Sequence, residues 1–192
     1  MARPTGRDIR SEVLAEARRA MQSSGVAGFS YGDLARRLGV RAPSIHHHVG
    51  RKDDLVAVAT RIYRAEFRAR VDALDEGSSV DRLRAYVAMF LEPAADGLLC
   101  LCGAVATDWA DVGADARAEV EAFLADELDW LIAEVEQGVA AGDLRTGLDA
   151  GTFARALVAA LEGALVLERT SAGAGVVESM RTLVDLAAAP GA

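Results

Sequence analysis

Apolar residues recur every three or four positions along most of the chain, and the breaks fall at glycines, prolines and capping pairs. Ile9, Val13, Leu14, Ala17 and Met21 mark the buried side of a helix over about 7–23, with Thr5 and Asp8 placed to cap it. A turn with two glycines follows, and Phe29 is expected to plug a small core beneath the next two helices. From Asp53 the period lengthens. Leu55, Val58, Ala59, Ile62, Tyr63, Phe67, Val71 and Leu74 keep one face over about twenty residues. Further helices are expected over 80–91, 98–109, about 115–141, 149–169 and 176–188, the second of them nearly all apolar and therefore buried. The pattern predicts an all-α chain. It divides into a small head over 1–52 and a larger helical body over 53–192.

The most informative stretch is 30–55, SYGDLARRLGVRAPSIHHHVGRKDDL. Ser30 and Asp33 make a capping pair for a short helix whose inner face is Leu34, Ala35 and Leu38. Gly39 ends it, because a left-handed turn costs glycine little. A second short helix begins about three residues later with Pro43 in its first turn, where a missing N–H does no harm. Two short helices at this spacing are a helix-turn-helix, and the second suits a major groove. Base edges fall to Arg41, Ala42, Ser44 and His47; the DNA backbone falls to Ser30, Tyr31, His46, His48 and Lys52. One histidine, His48, has the alternative of packing inward. Arg3 and Arg7 in an N-terminal arm are within reach of phosphates or a minor groove.

The end of the chain has a different texture. Gly151, Ala154, Ala156, Ala159, Ala160, Gly163 and Ala164 alternate with Phe153, Leu157, Leu161 and Leu165. Phe153, Leu157, Ala160, Leu161, Ala164, Met180, Leu183 and Val184 fit either a two-fold interface built as a four-helix bundle or an ordinary intramolecular core.

The segment Gly39-Val40, then Ile45-His46-His47-His48-Val49, then Lys52 and Leu55, resembles the TetR family of bacterial transcriptional regulators. The motif covers 9–55, and the helical plan of the rest is similar. His46 stands where the family has tyrosine, Val49 where it has phenylalanine, and Arg41 where a capping serine is common. The resemblance implies a homodimer that grips a near-palindromic operator, is released by a small effector, and pairs through its last two helices. Some members respond to oxidants or electrophiles through a cysteine of the central buried helix, which makes Cys100 or Cys102 an alternative sensor.

Composition changes the picture at three points. The net charge of −8 argues against a nucleic-acid partner until the chain is divided. Residues 1–52 hold 10 Arg and Lys against 4 Asp and Glu, and the remainder 11 against 25, so a head of +6 sits on a body of −14. Cys100 and Cys102 are too close to staple a fold, the N-terminus shows no secretory signal, and no run is expected to span a bilayer; a reducing cytoplasm is the natural setting. Tyr63, Phe67, Tyr86, Met89, Phe90, Cys102, Trp109, Phe123 and Trp130 are the candidate walls of an apolar effector pocket, with Glu162 its polar group. Consecutive histidines diverge by about 100° on a helix and cannot converge on one ion. No metal, cofactor or catalytic constellation is expected, so the reading is a ligand-responsive repressor with double-stranded DNA and a small effector as partners. A helical binding protein or enzyme without a DNA role is the remaining alternative.

Overall fold

The computed structural model describes residues 8–74 and 77–190. Thr5 and the arm arginines Arg3 and Arg7 lie outside them. The α-helices are α1 (Ile9–Ser24), α2 (Tyr31–Leu38), α3 (Ala42–Val49), α4 (Lys52–Asp72), α5 (Ser79–Leu91), α6 (Leu101–Thr107), α7 (Ala114–Ala141), α8 (Ala150–Leu167) and α9 (Val176–Arg181). Short 3-10 turns follow α5, α6, α8 and α9. The described residues form no strand, only an isolated bridge between Leu144 and Ala188. Two expected helices are shorter. The helix of 98–109 shrinks to α6, ended by the 3-10 turn at Trp109–Asp111, and that of 176–188 gives way after Arg181 to the 3-10 turn Leu183–Leu186.

The described chain forms two compact units. The first comprises residues up to Arg64 together with Leu101–Val120. Val13, Ala17, Met21, Phe29, Leu34, Ile45 and Leu55 are its buried apolar centre. It takes in residues 53–64 and 101–120, which the sequence pattern assigned to the body, because α1 packs against α6. The carboxylate of Asp108 accepts the Ala27 N–H at 3.0 Å, tying the turn before α2 to the end of α6. Arg61 closes on Glu119 at 2.6 Å, joining α4 to α7 within the same unit.

The second unit comprises Ala65–Cys100 and the residues from Glu121 on. α8 packs on α9, and both pack on α5. Arg82 of α5 is half-buried and bidentate on the buried Glu134 of α7, at 2.7 and 2.9 Å. At Gly138 a side chain would meet Leu144 Cδ1 and Ser79 Cβ at 2.7 Å, so glycine is what lets α7 approach α5. α8 is an 18-residue run apolar enough to match a bilayer, contrary to the expectation of none; it carries Arg155 and Glu162 and is in part core.

Candidate DNA-reading helix and effector cluster

The head is built by local chemistry. Ser30 caps α2: its hydroxyl accepts the Asp33 N–H at 3.2 Å and donates to the Asp33 carboxylate at 2.6 Å, which also accepts the Ser30 N–H at 3.0 Å. These bonds, led by the Ser30 hydroxyl, hold Asp33 below the usual carboxylate range. Gly39 takes φ 65° and ψ 32°, the left-handed turn that ends α2. Arg41 is extended, and α3 starts at Ala42 with Pro43 in its first turn. Ile45 alone of α3 is fully buried. Arg41, Pro43, His46, His47 and His48 are exposed, while Ala42 and Ser44 are half-buried. His48 therefore does not pack inward.

Three of the residues expected to position phosphates are engaged within the protein. Tyr31 is buried and its hydroxyl donates to the Gly50 carbonyl at 3.1 Å, with its ring 4.4 Å edge-on from His46. Burial, helped by Asp54 and Asp53, pushes the Tyr31 hydroxyl up to about 12. The Ser30 and Tyr31 hydroxyls thus donate their protons within the protein and brace the ends of α2 and α3. Lys52 is half-buried. Its ammonium donates to the Phe29 carbonyl at 2.6 Å and lies 4.3 Å from the centre of the Phe29 ring, and burial lowers its pKa. Arg51, which the sequence reading passed over, has an 85% exposed side chain beside the start of α4.

In the second unit the rings gather. Tyr86 stacks on Trp130 with centroids 5.3 Å apart and meets Phe67 edge-on at 6.1 Å; Phe67 in turn meets Phe90 at 6.0 Å and Phe123 at 5.3 Å. The Tyr86 hydroxyl donates to Oε2 of Glu127 at 2.5 Å. Glu127 is 2% exposed, and burial pushes its carboxyl up to about 8; Asp126 and Glu162 add to the effect, while Tyr86 and Arg68 oppose it. Burial also raises Glu162, against a hydrogen bond from Cys100. Glu127 escaped the sequence reading because it sits among Asp126, Glu121 and Asp129. Its register was the available signal: Phe123, Glu127 and Leu131 share one face at four-residue spacing, and all are buried.

The expected pocket set divides. Phe67, Tyr86, Met89, Phe90, Phe123, Trp130 and Glu162 belong to the second unit, whereas Tyr63, Cys102 and Trp109 belong to the first. Tyr63 lies under the Arg18 guanidinium at 4.7 Å. Trp109 is 37% exposed and lies 5.6 Å from the Arg117 guanidinium, so the expected burial of 98–109 fails at its end. Cys100 and Cys102 are buried, and a carboxyl rather than a cation neighbours Cys100; thiol sensing, which needs an accessible thiolate, is not favoured.

The expected pairing residues also divide. Leu157, Leu161, Ala164 and Val184 are buried in the single chain, so they are core and not interface. Phe153, Ala160, Met180 and Leu183 are half-buried, and Val166, Leu167 and Leu186 are the exposed large apolar residues of these elements.

A basic helix-turn-helix head and a separate helical unit with rings around a buried carboxyl define a class, that of helical DNA-binding regulators with a ligand-sensing body. Residues 13–59 match the family of bacterial regulatory proteins of the tetR family, and residues 79–184 match the tetracyclin repressor-like C-terminal domain. The chain belongs to the TetR family and is a ligand-responsive DNA-binding transcriptional regulator, which sets aside a binding protein or enzyme without a DNA role. It is similar to a TetR-family regulator from Agrobacterium tumefaciens, at 29% identity over 94% of this chain and 97% of the other, with a TM-score of 0.87. A TetR regulator from Chloroflexus aurantiacus is 26% identical over 92% of each chain, with a TM-score of 0.76. A putative transcriptional regulator from Saccharomonospora viridis, in complex with choline, is 23% identical over 92% and 93%, with a TM-score of 0.77, and shares the fold. No curated protein matches.

Proposed function

We propose that the protein is a homodimeric repressor that sets two copies of α3 into successive major grooves of a near-palindromic operator and leaves it when a small molecule enters the ring cluster of the second unit. The outward face of α3 carries this reading: Arg41, His46, His47 and His48 are exposed while Ile45 alone is fully buried. Arg41, Ala42, Ser44 and His47 read base edges, Arg41 by a two-pronged bond to guanine. His46, His48, Arg51 and the unspent N–H groups of Lys52 meet phosphates. Pairing uses Phe153, Ala160, Met180 and Leu183 together with Val166, Leu167 and Leu186. The effector is held among Phe67, Tyr86, Phe90, Phe123 and Trp130. α4 carries both Lys52 and Phe67, so a shift of that helix couples the two sites, typically by about 1–3 kcal/mol. The chain works in a reducing cytoplasm without metal or cofactor and catalyses no reaction.

The test is selection of genomic fragments on the full-length protein, followed by fluorescence anisotropy on the enriched duplex. Arg41→Ala and His47→Ala each weaken binding to that duplex by about 5- to 150-fold, the equivalent of 1–3 kcal/mol, while leaving non-specific binding near its original strength. Selection that enriches nothing, or equal losses on every sequence, contradicts the reading.

A further inference from the structure

Glu127 lies on an apolar face of α7 with almost no access to solvent. The Tyr86 hydroxyl is its only hydrogen-bond partner among the described residues, and it belongs to no ion pair. The cation that opposes its burial, Arg68, is already committed to Asp72 at 2.8 Å and Asp126 at 3.7 Å. A carboxylate offers about four lone-pair sites. Tyr86 fills one on Oε2, and Oε1 accepts no bond from the described residues. A buried carboxyl left in this state destabilises the fold, and a hydrophobic residue of similar volume would serve packing better. Its neighbours are not neutral filler either. Tyr86 and Trp130 stack, Phe67 stands edge-on to Tyr86, and Glu162 is close enough to add its own charge. Ring faces attract cations, most strongly where water is absent.

Resting on the reading that the effector enters this ring cluster, we infer that the effector carries a positive charge, an amine or quaternary ammonium on an apolar body, and that Glu127 is the group that neutralises it. A neutral effector supplies no charge to pair with the Glu127 carboxylate, and an anion meets two carboxyls. In the free protein Glu127 keeps its proton at neutral pH. When the cation enters, that proton leaves to solvent, the carboxylate faces the cation through Oε1, and Tyr86 continues to donate to Oε2. The groups acting on Glu127 are Tyr86 of α5, Asp126 of α7, Arg68 of α4 and Glu162 of α8; neither Tyr86 nor Glu162 is displaced toward ionisation by its surroundings, since burial raises both. The affinity for a cation therefore rises with pH until Glu127 is ionised at about 8.

The probes are phenyltrimethylammonium and its uncharged isostere tert-butylbenzene, measured by titration calorimetry on the full chain, with the sparingly soluble hydrocarbon held in the cell. The cation binds at least about tenfold tighter at pH 8.5, a difference of about 1.4 kcal/mol. The preference shrinks at pH 6, and paired buffers of different ionisation enthalpy show close to one proton released per cation at pH 7. Glu127→Gln removes the preference and the proton release but keeps hydrocarbon binding. Tyr86→Phe, a second variant, reduces the preference by weakening the carboxylate. Hydrocarbon binding as tight as the cation, or a preference that survives Glu127→Gln, overturns the charge inference while leaving the site. Binding of neither probe overturns the site as well.

Discussion

At Glu127 the cost of a site can be measured apart from its use. The folded carboxyl holds its proton up to about pH 8, against an ordinary value of 4.5, so between these values the folded state binds more protons than the unfolded state. Stability from this group is fully present below about pH 4.5 and is lost as pH rises toward 8. Glu127→Gln abolishes that slope. Thermal melts therefore place the variant above the parent by at least about 2–4 °C at pH 8.5, with the gap closing by pH 5. A gap independent of pH contradicts the assignment of the burial penalty to Glu127. The contrast with Glu134 is instructive. It is equally hidden on the same helix, but Arg82 answers it with two bonds. A sequence shows both as glutamates in a charged stretch; what separates them is whether a cation from another helix arrives.

Among the elements, the legible parts were those fixed by local rules. The Ser30–Asp33 pair, Gly39 and Pro43 place α2 and α3 from the sequence, because caps and turns need only neighbours a few residues away. Helix ends set by packing were not legible in this way. α6 stops at Thr107, and α9 stops at Arg181 although apolar periodicity runs on to Ala187, which is buried in a non-helical turn. The same limit applies to Lys52. Its place at the start of a helix suggests an anion site, yet it reaches back 23 residues to the Phe29 carbonyl. It thus fastens the first turn of α4 to the turn before α2. Lys52→Met is expected to lower the unfolding free energy by about 1.5–3 kcal/mol in urea melts, the range for a hydrogen bond to a charged group. An unchanged midpoint removes this brace from the account.

For the whole molecule, fold class and family were readable because the helical period and the 39–55 motif carry them, and charge divided by segment identified the basic end. Whether the alanine-rich end of the chain packs on itself or on a second copy was not readable. Small residues alternating with leucines mark close helix packing, but periodicity does not say whether the neighbour is the same chain or another. Burial in the single chain settles Leu157, Leu161, Ala164 and Val184 as core. Val166 and Leu167, 50% and 51% exposed, remain as apolar surface at the end of α8. Leu167→Glu is expected to shift sedimentation from dimer to monomer with the helical content unchanged.

Two reading helices acting together are the core of the functional claim, and hydroxyl-radical footprinting of the selected duplex tests it most directly, with the parent and Leu167→Glu side by side. The parent is expected to protect two patches on one face of the duplex, about 34–36 Å or a multiple of that apart, and Leu167→Glu to lose both patches at the same protein concentration. A single protected patch, or the same footprint from parent and variant, would contradict it.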